Sequence, residues 1–286
     1  MITVKLKGGL GNQMFQYALY RAFDLRGEIA CIDDFTYFNR QSPPPHLVYH
    51  LDIFNLKYRK MDPTKMPSYI VNPNSLLFRV FHKYGCGPSL FFEKSASKYD
   101  ATVFDERNKN KYFEGYWQTE RYFVDFKETI KKDFQYVGEW TPENKKYREM
   151  MQNSNSVCIH IRRGDYLKHS AYTGICTEHY YKHAIDYIKS QVSTPRFFVF
   201  SNDLEWCKSI FGKEDNVVYI EGNDVEHSYM DMILMTFCKH HVIANSSFSW
   251  WGAWLGPEGG ITVAPFKWSQ TDDATDIWCK GWLKMS

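Results

Sequence analysis

The sequence has no apolar run approaching the ~18 to 20 residues that span a bilayer. No signal-peptide core precedes its first strand-like stretch, Met1-Ile2-Thr3-Val4-Lys5-Leu6. The expectation is a chain with no transmembrane segment, cytoplasmic, with at most a peripheral contact at an inner membrane. It lacks a C-x-x-C pair: Cys31, Cys86, Cys158, Cys176, Cys207, Cys238 and Cys279 are scattered and odd in number, as in a reduced intracellular protein. It lacks a charge surplus, because 35 Lys and Arg against 33 Asp and Glu leave a net +2. A general nucleic-acid binder is more basic than this, so any cationic chemistry must be local. Repeats, low-complexity tracts and long charge runs are absent. So are the Walker lysine pattern and a D-x-D for a nucleotide-bound divalent ion.

The 286 residues, 44% hydrophobic and 17% aromatic, suffice for a large core and for one large or two ordinary domains. The start reads strand (Ile2–Leu6), glycine loop, helix (Met14–Leu25, with Phe15, Leu19, Ala22 and Phe23 at helical spacing), strand (Glu28–Ile32). This β-loop-α-β order suggests a parallel sheet. From Gln41 to about Asn110, Pro43-Pro44-Pro45, Pro63, Pro67, Pro73 and Pro88 interrupt the pattern, and long loops with short helices are expected. Tyr112–Trp117 reads as a strand, Arg121–Phe134 as a helix, and Trp140–Asn144 as a linker or helix start. Beyond residue 155 strands (157–161, 197–201, 217–220, 241–245, 261–264) alternate with helices (178–190, 204–211, 228–238, 248–255). The class is α/β, with domains expected at 1–150 and 151–286.

In open parallel sheets, ligands bind beyond the carboxyl ends of the strands. Three polar clusters are expected there. The first is His160-Ile161-Arg162-Arg163-Gly164-Asp165, whose paired guanidinium forks suit a diphosphate; the alternative is a structural salt bridge between one arginine and Asp165. The second is Ser201-Asn202-Asp203, either an acceptor for the edge of a base or an Asx cap for the next helix. The third is Asn245-Ser246-Ser247-Phe248-Ser249, which opens a helix and is either an anion site or an N-cap with tryptophans in the core. In the first half, Gly8-Gly9-Leu10-Gly11-Asn12-Gln13 fails the G-x-G-x-x-G spacing. It is either a tight turn or a loop that admits a ligand, with Asn12 and Gln13 as contacts. Asp33 stands where a ribose-binding acid would. His179, His183 and Cys176 lack a fourth zinc ligand, so no metal site is expected.

These motifs together, with Phe200-Ser201-Asn202-Asp203 and Asn245-Ser-Ser-Phe-Ser-Trp-Trp-Gly-Ala-Trp254-Leu, resemble the α-1,2-fucosyltransferases of glycosyltransferase family 11. The resemblance runs from residue 8 to residue 255, with little signal in 41–140. It implies a GT-B fold of two Rossmann-like domains facing across a cleft: an acceptor-side domain at 1–150 and a donor domain at 151–286. It implies GDP-β-L-fucose as donor, a terminal galactoside (lactose or a longer glycan) as acceptor, and inversion without metal or other cofactor. Arg162 would hold the diphosphate, His160 would lie by the nucleoside, Asn12 near the transfer site, and Asp203 or Asn202 against guanine. Gly9, Gly11, Gln13, Arg163, Ser201, Asn245, Ser246, Ser247, Phe248 and Ser249 complete the expected donor contacts. The general base stays open: Asp165 is the nearest motif carboxylate, and Glu114, Glu120 and Asp105 have no assigned place. Another nucleotide-sugar transferase, an NAD-dependent oxidoreductase and a non-catalytic carbohydrate-binding protein are the competing readings.

Overall fold

A computed structural model describes residues 1–38, 48–72, 74–87, 89–164, 166–224, 226–271 and 275–286. Pro43–Pro45, Pro73, Pro88 and Asp165 lie outside the described residues. The chain divides into two compact units, Met1–Val137 and Gly138–Ser286.

The first unit contains β1 (Ile2–Lys5), α1 (Leu10–Leu25), β2 (Ala30–Asp33), α2 (Ser68–Val71), α3 (Leu76–Tyr84), β3 (Leu90–Phe92), β4 (Tyr112–Glu114) and α4 (Lys127–Asp133). Its four strands are parallel in the order β2-β1-β4-β3. All four residues of β1 are buried, as expected of an inner strand covered on both faces. The strand expected at 112–117 stops at Glu114; beyond it the Tyr116 and Trp117 amides donate to the Glu93 carboxylate, and Trp117 adopts a left-handed backbone (φ 58). The helix expected at 121–134 is broken into two 3-10 turns, Glu120–Tyr122 and Val124–Phe126, followed by α4. Tyr122 and Phe123 are both fully buried, and Phe123, with φ −142, leaves the helical region between the two turns.

The second unit contains α5 (Pro142–Gln152), β5 (Asn155–Ile161), α6 (Glu178–Gln191), β6 (Pro195–Ser201), α7 (Leu204–Phe211), β7 (Val217–Tyr219), α8 (Tyr229–Met235), β8 (His240–Val242), α9 (Ser247–Trp254), β9 (Thr262–Pro265) and β10 (Leu283–Met285). The sheet is parallel throughout, in the order β10-β9-β8-β5-β6-β7. Strand alternation sorts its two cores. Val157, Ile159, Ile161, Phe197 and Val199 face Tyr180, Tyr181, Ala184 and Ile188 of α6. Cys158, Phe198 and Phe200 face Leu234 and Met235 of α8 and Met151 of α5. That placement of Met151 draws α5 into the second unit, so the boundary falls at 137/138 and not at the expected 150/151. The edge strand β10 had no counterpart in the sequence reading.

Candidate functional site

Register brings the second-unit clusters to one edge. Ile161 at the end of β5 pairs with Ser201 at the end of β6, so Arg162 and Asn202 leave the sheet at the same height. Ile159 pairs with Val242 of β8; continuing that register places Asn245 level with Arg162.

Arg162 is half-buried, with its guanidinium carbon 5.7 Å from the centre of the Tyr166 ring. The Tyr166 hydroxyl donates to the Asn245 carbonyl at 3.3 Å, which ties this side of the edge to the loop before α9. His160 is 6% exposed, and its ring lies 5.8 Å from that of Phe248. Burial, and then the neighbouring Arg162 charge, push its pKa down to about 3. The imidazole is therefore neutral at working pH and cannot act as a proton donor of the imidazolium kind. Its Nδ1 is buried with no hydrogen-bond partner among the described residues. Leaving such a group unmet costs roughly 1–3 kcal/mol.

Arg163 is committed elsewhere. Its Nε donates to Asp203 Oδ2 at 3.0 Å, and its guanidinium lies 4.0 Å from the centre of the Trp206 ring. Arg163 thus makes an ion pair with Asp203; the pairing expected of Asp165 lies outside the described residues. Asp203 Oδ1 also accepts from the Trp206 amide (3.2 Å) and caps α7. The Asx-cap alternative thus describes Asp203, and both its carboxylate oxygens already have partners within the protein. Asn202 is exposed, yet its Oδ1 accepts from the Arg163 amide at 2.9 Å. Ser201 Oγ accepts from the Asp203 amide at 2.9 Å. A Cβ at Gly164 would stand 2.5 Å from Asn202 Nδ2, so a larger residue there would displace the Asn202 side chain.

The third cluster separates into structural and accessible members. Asn245 is buried; its Nδ2 donates to the Trp268 carbonyl (3.0 Å) and its Oδ1 accepts from Cys176 Sγ (3.4 Å). Ser249 is fully buried, with its hydroxyl turned to the Ala244 and Ser246 carbonyls at 3.4 Å. Neither offers a donor contact as placed, contrary to expectation. The reason is that each fixes the turn from β8 into α9. Ser246 is the N-cap, accepting from the Phe248 amide at 3.3 Å. Ser247 and Phe248 are half-buried and line the start of α9, where first-turn amides lack intrahelical partners and favour an anion.

In the first unit, Gly8 has φ 81, and a Cβ there would stand 2.7 Å from Asn12 Nδ2. Gly9 is the N-cap of α1, and Gly11 and Gln13 lie inside its first turns. Gln13, expected as a ligand contact, is fully buried. It donates to the Gly8 and Val48 carbonyls (2.9 and 2.7 Å) and accepts from the His50 amide (3.0 Å), strapping loop 48–50 onto the glycine turn. Gln16, which the sequence reading passed over, does the same work one turn later, bonding the Lys7 amide and the Gly115 carbonyl. Two glutamines three apart beside the apolar positions of α1 were the signal. Asn12 is half-buried, and its Oδ1 accepts from Gln118 Nε2 at 2.7 Å. Asp33 is 1% exposed and is occupied by the Phe35 and Thr36 amides and the Tyr112 hydroxyl. It offers no carboxylate to a ribose, which removes the main support for the dinucleotide reading.

Glu114, at the end of β4, pairs with Lys5 (3.1 Å), Lys7 (3.5 Å) and His82 (2.9 Å). Burial opposes its charge, but the His82 hydrogen bond and the two lysines outweigh it and bring its pKa to about 2. A carboxylate so stabilised is a poor proton acceptor. His179 and His183 are exposed on α6. No group of three His, Cys, Asp or Glu among the described residues could hold a metal ion. Two cavities of the second unit lie elsewhere. One of about 780 Å³ is near Asn155, Arg196 and Asp215, and one of about 250 Å³ lies between α6 and α7 over Ile159 and Val199. Neither includes Arg162.

The family model described as Glycosyl transferase family 11 matches residues 92–286. An alpha-1,2-colitosyltransferase of Escherichia coli is 36% identical over 290 residues, 96% of this chain and 94% of that protein. A galactoside alpha-(1,2)-fucosyltransferase 2 of Rattus norvegicus is 33% identical over 116 residues, 39% of this chain and 32% of that one. Among solved structures, POFUT1 in complex with GDP-fucose matches with a TM-score of 0.52 at 12% identity, covering 91% of this chain and 96% of that one.

Proposed function

The chain belongs to glycosyltransferase family 11 and has an α/β GT-B fold; from that premise we propose that it transfers L-fucose from GDP-β-L-fucose to the 2-hydroxyl of a terminal galactoside, with inversion and without a metal ion. The observation that carries this reading is the carboxyl edge of the second sheet. There Arg162, a neutral His160 with an unmet Nδ1, and the start of α9 converge at one height. As the acceptor hydroxyl attacks the anomeric carbon, the bond to the β-phosphate oxygen breaks and negative charge collects on the departing GDP. Arg162 and the first-turn amides of α9 are placed to neutralise it, and stabilising developing charge is the largest usual contribution to such a rate. His160 Nδ1 supplies a hydrogen-bonding position to the donor. Arg163 and Asp203 hold the edge rigid behind them. Asp165 is the proposed acceptor of the hydroxyl proton, and Asn12, fixed by Gln118, the proposed orienting group in the first unit.

The likeness to an alpha-1,2-colitosyltransferase favours one second reading, the same reaction with GDP-colitose. Colitose is the 3-deoxy analogue of L-fucose, so the two donors differ by one hydroxyl. The deciding experiment offers GDP-fucose and GDP-colitose separately, with lactose and a longer galactoside, in EDTA, and assigns the product linkage by NMR. An α-1,2-fucosylated product is expected. Transfer from GDP-colitose alone would move the assignment to the second reading, and dependence on added metal would remove the metal-free step.

A further inference from the structure

Helix α3 turns its most apolar residues outward. Leu76 and Tyr84 are each 68% exposed, Leu77 51% and Val80 38%. Positions 76, 80 and 84 recur every fourth residue and form one stripe with Leu77. The opposite face already docks the helix. Phe81 meets Tyr69 edge-on at 5.5 Å, and His82 stacks on Phe78 while its Nε2 reaches Glu114. Packing within the unit therefore does not require the outward stripe, and contiguous exposed apolar surface of this kind marks an interaction face.

The surrounding charge identifies the partner. From Met66 to Phe92 the only Lys, Arg, Asp or Glu residues are Arg79 and Lys83, both on α3, whereas Lys60 and Lys65 nearer the N-terminus already pair with Asp34 and Asp62. At ~100° per residue, Arg79 and Lys83 border the stripe on one side, and both are exposed. A second copy of this face would bring like charges together. Nucleic acid would match the cations but not the aliphatic side chains. An interface with acyl chains beneath anionic headgroups matches both, with the lysine and arginine stems extended toward the headgroups. We propose that α3 lies on anionic membrane, seating Leu76, Leu77, Val80 and Tyr84 at the headgroup boundary with Arg79 and Lys83 against the lipid charge. This contact is peripheral; no helix among the described residues is long and apolar enough to cross a membrane. It is independent of which sugar is transferred.

The test is co-sedimentation of the full chain with phosphatidylcholine vesicles, with and without phosphatidylglycerol. Binding is expected only with the anionic lipid, and it should weaken in high salt. R79Q and K83Q should each lower the partition coefficient by roughly fivefold, and L76S/L77S/V80S by more than the two together. Circular dichroism of these surface variants, and transfer to a water-soluble acceptor, should stay unchanged. Failure to sediment with anionic vesicles would overturn the proposal. So would binding indifferent to the stripe, or a concentration-dependent dimer that the triple substitution abolishes, which would assign the face to a second copy.

Discussion

The carboxyl edges of the two parallel sheets are built from similar residue types and have opposite character. At the first edge the buried polar groups are largely used within the protein. Glu114 is met by Lys5, Lys7 and His82, Asp33 by two amides and a hydroxyl, and Gln13 and Gln16 by backbone on both ends of their amides. At the second edge, Asp203 and Asn245 are spent on structure, but His160 Nδ1 is unmet and the start of α9 is accessible. Polar residues at a sheet edge mark a site where the fold leaves them unsatisfied, and a scaffold where it does not.

Substitutions can break that contrast. Glu114→Ala should have the largest effect, on stability. It strands Lys5, whose side chain is 7% exposed, and removing one partner of a buried pair costs about 3–5 kcal/mol; urea titration should show it. Arg162→Ala should do the reverse, keeping the urea midpoint and circular dichroism while lowering kcat by roughly 100- to 1000-fold. A near-normal kcat would remove the proposed role of the second edge. Gln13→Ala and Gln16→Ala should each lose on the order of 1–3 kcal/mol through orphaned backbone groups, read as a fall in Tm.

Protonation sharpens the same contrast. The His160 and His241 pKa values lie near 3 and 4 instead of 6.5, chiefly through burial. The unfolded chain therefore takes up protons that the native state refuses. Stability present above pH 6.5 should drain away as pH falls toward 4, by at most about 1.4 kcal/mol per pH unit per histidine. Asp231 acts oppositely: burial raises it to about 6, so its native state gains a proton first and is favoured as pH falls from 6 toward 3.8. Asp231→Asn should steepen the acid loss in pH-dependent denaturation. The smallest effect expected is in Arg163→Lys, which keeps the charge but weakens the directed bond to Asp203 and the cover over Trp206; a Tm decrease of a few degrees with kcat retained would fit.

Legibility followed sequence separation. The second sheet was readable because its strands are short apolar runs between amphipathic helices; α7 was expected at the observed 204–211, and most other ends shifted by one to four residues. The first unit was opaque because its partners are remote. Lys5 and Glu114 are 109 residues apart, Gln16 and Gly115 are 99, and Asn12 and Gln118 are 106. No local period encodes such pairs. The strand expected to continue through Trp117 ended early for the same reason, since Glu93 draws in the amides of Tyr116 and Trp117 (2.5 and 2.7 Å).

Residue order was enough to place the arginine pair, the serine-led helix and the glycine turn at strand ends, because periodicity and capping chemistry act within a few residues. It could not say that Arg163 is held by Asp203, which serines are accessible, or that Gln13, Asn245 and Ser249 are internal braces. Those outcomes depend on which side chains the sheet register sets opposite one another, and a hydrogen bond made across the fold removes a group from the set that a substrate can reach.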